Sequence, residues 1–285
     1  MSEGATPETV QQAMTRAARS LDENGLAYSM RDVRRLMTAA LAIKSDRLTL
    51  HLRDDLPPEV RIVFDAFCAR RGKREPVSRI LGGRLFFGRW FKNSSHVLDP
   101  RPETEILVER ALQGDFDNVL DIGTGSGCIA LTLLAEKRDA TAIATDVSPD
   151  ALKTALENAV SLEVSDRVTF VVSDWFHSVD GRFDLIVSNP PYIHPTEMNA
   201  LSPEVAQCDP HLALTDFVDG LTGYREIAAH ARGHLHPGGR VLVEIGPTQA
   251  KAVHKLFVNA GLVSIAVHPD FDGRDRVIEG FLPDS

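Results

Sequence analysis

Asp121-Ile122-Gly123-Thr124-Gly125-Ser126-Gly127 is the stretch that decides the fold. A short apolar run, Asn118–Ile122, leads into it, and a helix-like segment, Cys128–Glu136, follows it. Strand, glycine turn and helix is the local reading. Glycines let the backbone turn sharply and allow a ligand to come close to it. Asp146 ends the next predicted strand, 23 residues after Gly123. A carboxylate there can accept hydrogen bonds from both hydroxyls of a ribose. The glycines alone would mean only a tight turn; with the acid they point to a nucleotide-like ligand.

The glycine spacing selects among such ligands. A dinucleotide fingerprint needs its third glycine two intervening residues after the second. Cys128 stands there, and the third glycine comes one residue early, at Gly127. This acid-x-Gly-x-Gly-x-Gly pattern resembles the first motif of class I methyltransferases, whose cofactor is S-adenosyl-L-methionine. The resemblance implies a cofactor site at Asp121, Gly123, Thr124, Gly125, Ser126 and Gly127, with Asp146 on the ribose. Asp174-Trp175 follows the third strand, at the position that faces the adenine in that fold. Asp174 is expected to take the exocyclic amine and Trp175 to cover the ring face; ordinary core packing is the other reading of Trp175.

Strand and helix patterns alternate on both sides of this region. Thr141–Thr145, Val168–Val172, Phe183–Ser188, Arg240–Ile245, Leu262–Val267 and Val277–Leu282 read as strands. Ser148 reads as a helix cap, with Pro149 at the first helical position. Gly220–Gly233 and Thr248–Ala260 read as helices, the second stopped by Gly261. Such alternation predicts an α/β sheet with helices on both faces. Toward the N-terminus the texture differs. Val10–Leu52 has apolar residues at helical spacing, and Pro57-Pro58 opens a further helix ending at Gly72. Residues 1–75 are expected to form a small helical domain. Residues 76–100 read as a hairpin and linker, the hairpin in Ile80–Gly88 and a stiff connector at Asp99-Pro100-Arg101-Pro102. Residues 101–285 are the expected catalytic domain.

Asn189-Pro190-Pro191-Tyr192 comes directly after the strand Phe183–Ser188. Ligands in such sheets bind beyond the carboxyl ends of the strands, so the box belongs beside the glycine loop. Two prolines fix φ twice and remove two backbone donors, leaving a rigid loop rich in carbonyls. An NH2 group is what such a loop can hold. One N–H goes to the Asn189 side-chain oxygen, the other to a proline-loop carbonyl, and Tyr192 packs on the planar acceptor. Asn189, Pro190 and Tyr192 are the expected catalytic residues, Pro191 completes the substrate site, and the methyltransferase resemblance implies that Asn189 also contacts the cofactor. By itself the box holds adenine and an amide equally well. His194 reads as a surface histidine. His230 and His234 stand four apart, but Ala231 occupies the place of a zinc protease's glutamate, so no metal site is expected.

Composition excludes some classes. Cys68, Cys128 and Cys208 lie far apart with no metal-ligand spacing, which suits reduced thiols and a cytoplasmic protein. No signal-like or membrane-spanning run is seen. The net charge of −9 is uneven. Residues 1–100 hold 17 Lys+Arg against 12 Asp+Glu, and the remainder 14 against 28. The basic excess, including Arg70, Arg71, Lys73 and Arg74, reads as a solvated surface or as the footprint of an acidic partner. Tight direct nucleic-acid binding is not expected of a catalytic half this acidic.

Taken over nearly the whole chain, these motifs resemble the bacterial release factor glutamine methyltransferases. The match includes Ile80-Leu81-Gly82, Phe86 and Phe91, Pro100-Arg101-Pro102-Glu103-Thr104-Glu105, Ser173-Asp174-Trp175-Phe176, Asp219-Gly220-Leu221 and Asp272-Gly273-Arg274-Asp275-Arg276-Val277. The resemblance implies a seven-stranded Rossmann-like sheet and an N-terminal helical bundle that helps grip the substrate. It implies transfer to the glutamine N5 in the Gly-Gly-Gln motif of peptide chain release factors. Ser78-Arg79, Asp209-Pro210 and Phe217-Val218 depart from the family's frequent residues, which touches partner contacts and leaves the box intact. A glutamine methyltransferase of a ribosomal protein would share the box. An adenine or guanine amino-methyltransferase would want a more basic surface. A nicotinamide-dependent oxidoreductase would space its glycines differently, and a binding protein without catalysis would have no need of the box.

Overall fold

The computed structural model describes residues 8–27 and 29–284. Contacts divide the chain into two compact units, one ending at Gly83 and one beginning at Arg84.

The first unit is helical. α1 (Val10–Glu23) starts at a capping box: Gln12 N donates to Thr9 Oγ1 and Thr9 N to Gln12 Oε1, at 3.3 and 2.9 Å. This reciprocal pair satisfies two amides that the first turn would leave without partners. α2 (Ser29–Ala40) and α3 (Pro58–Gly72) follow, with a 3-10 segment Ser45–His51 between them. Leu21, Leu36, Met37, Leu48 and Phe64 fill the core. α4 (Val77–Leu81) closes the unit. Ile80-Leu81, expected in the hairpin, instead end this helix, and Gly82 at φ 76° terminates it. The basic excess is also corrected in part. Arg71 is buried and bonds Asp32 at 2.8 Å, Arg70 bonds Glu75 at 2.8 Å, and Arg74 donates to the carbonyls of Asn24 and Gly25. These three guanidiniums hold helix ends and turns together. Neutralising them would damage the unit and could not report cleanly on a partner.

The hairpin of β1 (Gly83–Phe86) and β2 (Arg89–Lys92) comes next, further along the chain than Ile80–Gly88. Phe86 and Phe91 meet edge to face with centroids 5.8 Å apart. The 3-10 turn Pro102–Thr104 leads into α5 (Glu105–Leu112). Then come β3 (Asn118–Ile122), α6 (Cys128–Glu136), β4 (Thr141–Asp146), α7 (Pro149–Ser161), β5 (Val168–Val172) and β6 (Phe183–Ser188). Beyond α8 (Pro203–Cys208) lie α9 (Thr222–His234), β7 (Leu235–Glu244), α10 (Ala250–Asn259), β8 (Val263–Pro269) and β9 (Asp275–Phe281). The sheet has seven strands in the order β5-β4-β3-β6-β7-β9-β8. β5 to β7 are parallel, and β9 runs antiparallel to both neighbours.

Side chains alternate across the sheet, as strand geometry requires. Val119, Leu185 and Val187 pack with Leu107 of α5 and Leu131 and Leu134 of α6. Leu120, Ile122 and Ile186 pack with Tyr224 and Ile227 of α9 and Phe257 of α10. Helices thus cover both faces. The chain order reverses between β3 and β6, and such a switch point opens a crevice beyond the strand ends. β7 starts at Leu235, five residues before the predicted strand. Leu235 pairs with Phe183 before the register slips, so the Pro237-Gly238-Gly239 turn is a bulge inside the strand.

Candidate active site

The loop after β3 is braced from below. Asp121 is fully buried, and its Oδ2 accepts from Thr124 Oγ1 at 2.7 Å and Ala130 N at 3.2 Å. Thr124 is also buried and turned inward, and its amide donates to Thr145 O at 2.8 Å. Both residues therefore shape the loop from behind. Burial pushes the Asp121 carboxyl up to about 6. Its Oδ1 is buried with no hydrogen-bond partner. Gly123 and Gly125 adopt φ of 70° and 56°, and the space beyond each is open. A side chain there would be strained and would fill the cradle.

Asp146 at the end of β4 accepts from Gly125 N with Oδ2 and from Ser148 N with Oδ1, both at 2.9 Å. Burial raises its carboxyl above the usual range, against those two donors. Each oxygen keeps lone-pair capacity for a further donor. Asn158 of α7 fastens the loop from the side. It is fully buried, accepts from Lys92 N at 2.8 Å, and donates to Lys92 O at 3.2 Å and Ser126 O at 2.9 Å. One side chain thus joins hairpin strand β2 to the glycine loop. An asparagine at Asn158, beside the buried Ala155 and Ala159 of α7, is the signal that could have found it.

Asp174 is exposed. Trp175 is half-buried at φ 50°, a left-handed conformation rare for a bulky residue. Ser173 Oγ holds it there by donating to Trp175 O at 2.9 Å. The indole edge and Pro190 both lie against Gly223: a Cβ there would stand 2.6 Å from Trp175 Cη2 and 2.7 Å from Pro190 Cβ. Trp175 and the proline box are therefore neighbours across the start of α9.

The box follows β6, where Ser188 Oγ donates to Ile122 O at 2.7 Å and so ties it to the glycine strand. Asn189 Nδ2 donates to Thr104 Oγ1 at 3.2 Å, Thr104 donates to Glu244 Oε2 at 2.5 Å, and Tyr192 OH donates to Glu244 Oε1 at 3.1 Å. Gln249 Nε2 holds the carbonyls of Tyr192 and Gly220 at 3.0 and 3.1 Å. Arg276 Nη1 lies 3.4 Å from Tyr192 OH, and its Nη2 bonds Asp270 at 3.2 Å. Burial raises the Glu244 carboxyl, opposed by Thr104, Arg276 and Tyr192. The Tyr192 phenol is pushed well above its usual range by burial and by Glu244. Tyr192 thus aims its hydroxyl into the fold and is not poised as a base. Asp216 accepts from the amides of Val218, Gly220 and Thr222, each at 2.9 Å. Burial opposes its charge, but donors from Thr222, Val218 and Gly220 outweigh that and hold it far below the usual range.

Thr104, Glu244, Asn158, Gln249 and Arg276 had no role assigned from the sequence. Thr104 and Arg276 lie in motifs that were noted, and Glu244 is a lone acid after Val241-Leu242-Val243. Among the described residues, no group of His, Cys, Asp and Glu could hold a metal ion, and no helix is long and apolar enough to cross a membrane.

Two family models match: the PrmC N-terminal domain over residues 12–82 and the methyltransferase small domain over residues 94–212. A release factor glutamine methyltransferase of Cereibacter sphaeroides is 53% identical over 95% of this chain and 98% of its own length. One of Rhodospirillum rubrum is 41% identical over 93% of this chain and 82% of its own. Among solved structures, a methyltransferase from Pyrococcus furiosus superposes with a TM-score of 0.54 at 18% identity, covering 75% of this chain and 97% of that one. That likeness speaks to the fold alone. With the glycine loop, the Asn-Pro-Pro-Tyr box and near-full-length relatives all in agreement, this chain belongs to the release factor glutamine methyltransferase family.

Proposed function

We propose that this protein transfers a methyl group from S-adenosyl-L-methionine to the side-chain N5 of the glutamine in the Gly-Gly-Gln motif of peptide chain release factors, in the cytoplasm. The observation that supports the reading is the bond from Ser188 Oγ to Ile122 O at 2.7 Å, between the residue before Asn189 and the residue before Gly123. The residues present fit the cofactor. The open φ-positive glycines leave room for it, Asp146 offers carboxylate lone pairs, and the orphaned Asp121 Oδ1 lies behind the loop. When bound, the cofactor supplies an electrophilic methyl group on a sulfonium.

The chain's own task is positioning. An amide nitrogen is a weak nucleophile because its lone pair is delocalised into the carbonyl. Asn189 Oδ1 takes one N–H of the glutamine, and a proline carbonyl takes the other. The Tyr192 carbonyl is held by Gln249 and lies against Gly220, so that second acceptor falls to Pro190 or Pro191. Two acceptors polarise the nitrogen and aim its lone pair. Such orientation contributes up to roughly 7–11 kcal/mol of barrier lowering. No base is needed before transfer, because the extra proton leaves readily afterwards.

The test is to incubate the protein with labelled cofactor and, separately, a release factor, total ribosomal protein and total RNA. Label on the release factor, lost when its Gly-Gly-Gln glutamine is replaced, is the expected result. Label on RNA or on a ribosomal protein alone would overturn the reading.

A further inference from the structure

The segment Pro100-Arg101-Pro102-Glu103-Thr104-Glu105 has no part in the clamp as described so far, yet it makes three contacts around it. Arg101 bonds Asp209 at 2.6 Å, Thr104 receives Asn189, and Glu105 Oε1 accepts from Phe87 N in the hairpin turn at 2.8 Å. Two prolines and a 3-10 turn at Pro102–Thr104 stiffen it. Thr104 is buried at this point, and Glu244 behind it is also fully buried.

Hydrogen counting fixes the direction of the chain of bonds. The relay takes Glu244 in its ionised form, which Arg276 and the Thr104 and Tyr192 donors favour against burial, and an ionised carboxylate only accepts. Both Glu244 oxygens are in use, one receiving Thr104 at 2.5 Å and the other Tyr192 at 3.1 Å. A threonine hydroxyl has a single hydrogen, and that hydrogen points at Glu244. Toward Asn189 the Thr104 oxygen can offer only lone pairs. Asn189 must answer with Nδ2, which lies 3.2 Å away. Its Oδ1 is then turned away from Thr104. The reversed amide would set two oxygens against each other at hydrogen-bond distance. The two ends of an asparagine amide are otherwise nearly equivalent in shape, so orientation has to come from partners.

We infer that Thr104 and Glu244 form a positioning relay: Glu244 orders the Thr104 hydroxyl, and the hydroxyl orders the Asn189 amide so that its oxygen faces the acceptor. The inference rests on the amide-clamp reading of the box. It adds a requirement that reading lacks, because a reversed Asn189 would present NH2 to the NH2 of the acceptor and could no longer polarise or aim its nitrogen. Tyr192, on the other oxygen of Glu244, is fixed by the same carboxylate.

The test compares Thr104→Val with Thr104→Ser. Valine keeps the shape and removes the hydroxyl; serine keeps the hydroxyl. A packing role is served by valine, and an orienting role only by serine. With release factor as acceptor, Thr104→Val is expected to lose about 10²-fold in kcat, the scale of misplacing a reacting group. KM for the acceptor and the dissociation constant of the cofactor should stay within about 3-fold, less than one hydrogen bond's worth, and Thr104→Ser should recover most of the rate. Wild-type turnover by Thr104→Val overturns the relay. Absence of transfer by the wild type refutes the functional reading instead. A neutron crystal structure of the deuterated wild-type protein decides the relay without activity or variants. Deuterons of Asn189 directed at Thr104, with the Thr104 deuteron on the Glu244 side, support it; Asn189 Oδ1 facing Thr104 overturns it.

Discussion

Replacing Asn158 by alanine should weaken the catalytic unit and its cofactor loop together. Asn158 makes three hydrogen bonds, at 2.8, 3.2 and 2.9 Å, from a fully buried position. The three partner groups would not suffer equally. Ser126 is buried, so its carbonyl would be left without water. An orphaned buried group of that kind costs about 1–3 kcal/mol. Lys92 is exposed, and its two backbone groups can recover water at a cost of roughly 0.5 kcal/mol each. The total is about 3 kcal/mol, which for a unit of this size lowers the melting temperature by roughly 6–12 °C. The loop would lose its side anchor as well, so affinity for the cofactor should fall about tenfold, or about 1.4 kcal/mol. Asn158→Asp is a sharper version. It keeps the acceptor for Lys92 N but turns a carboxylate toward two carbonyls, so it should be no better than alanine. Urea unfolding and calorimetric titration of cofactor would measure both effects. A loss under about 1 kcal/mol with unchanged affinity would refute the idea that this residue fastens hairpin and loop.

Asn189→Ala should abolish transfer while cofactor affinity falls less, since the clamp and the cradle are separate contacts; normal turnover would refute the clamp. Asp121 makes a pH prediction for the cofactor-free protein. Its folded value is about 6 against an ordinary 3.8, so the fold favours the protonated acid. The stability it contributes is complete below 3.8 and declines as pH rises to about 6, by about 3 kcal/mol in all. Asp121→Asn should remove that slope from unfolding curves taken across the same window, and an unchanged slope would assign it elsewhere. Gly223→Ala should displace Trp175 or Pro190, since the new Cβ would lie 2.6 and 2.7 Å from them. Overpacking of this kind costs about 1–3 kcal/mol; indole fluorescence and cofactor affinity should both change, and no change in either would mean that the neighbours shift freely.

The glycine loop was legible because its constraint is local. Positive φ at Gly123, Gly125 and Gly127 is written in residue type, and the Ser148-Pro149 helix start is written the same way. The core strands were legible because a buried parallel sheet needs continuous apolar runs. The β7 bulge was not, because Pro237-Gly238-Gly239 looks like a turn whether or not Leu235 pairs with Phe183 before it. The support behind the clamp was hidden for a deeper reason. Thr104, Glu244 and the box that carries Asn189 and Tyr192 come from three separate places in the chain, and only the fold brings them together. A buried glutamate such as Glu244 signals that partners exist without saying which. The arginines of α3 misled in the opposite sense. Their number suggested a charged face, while Arg71 is used inside the unit against Asp32.

The central claim is that the methyl group goes to an amide nitrogen of a protein glutamine. The direct measurement is fragmentation mass spectrometry of release factor treated with this protein and isotopically labelled cofactor, followed by acid hydrolysis of the modified peptide. The account predicts one added methyl group on the Gly-Gly-Gln glutamine and labelled methylamine after hydrolysis, because the methyl leaves with the amide nitrogen. Label on any other residue, or hydrolysis that yields no methylamine, would contradict it.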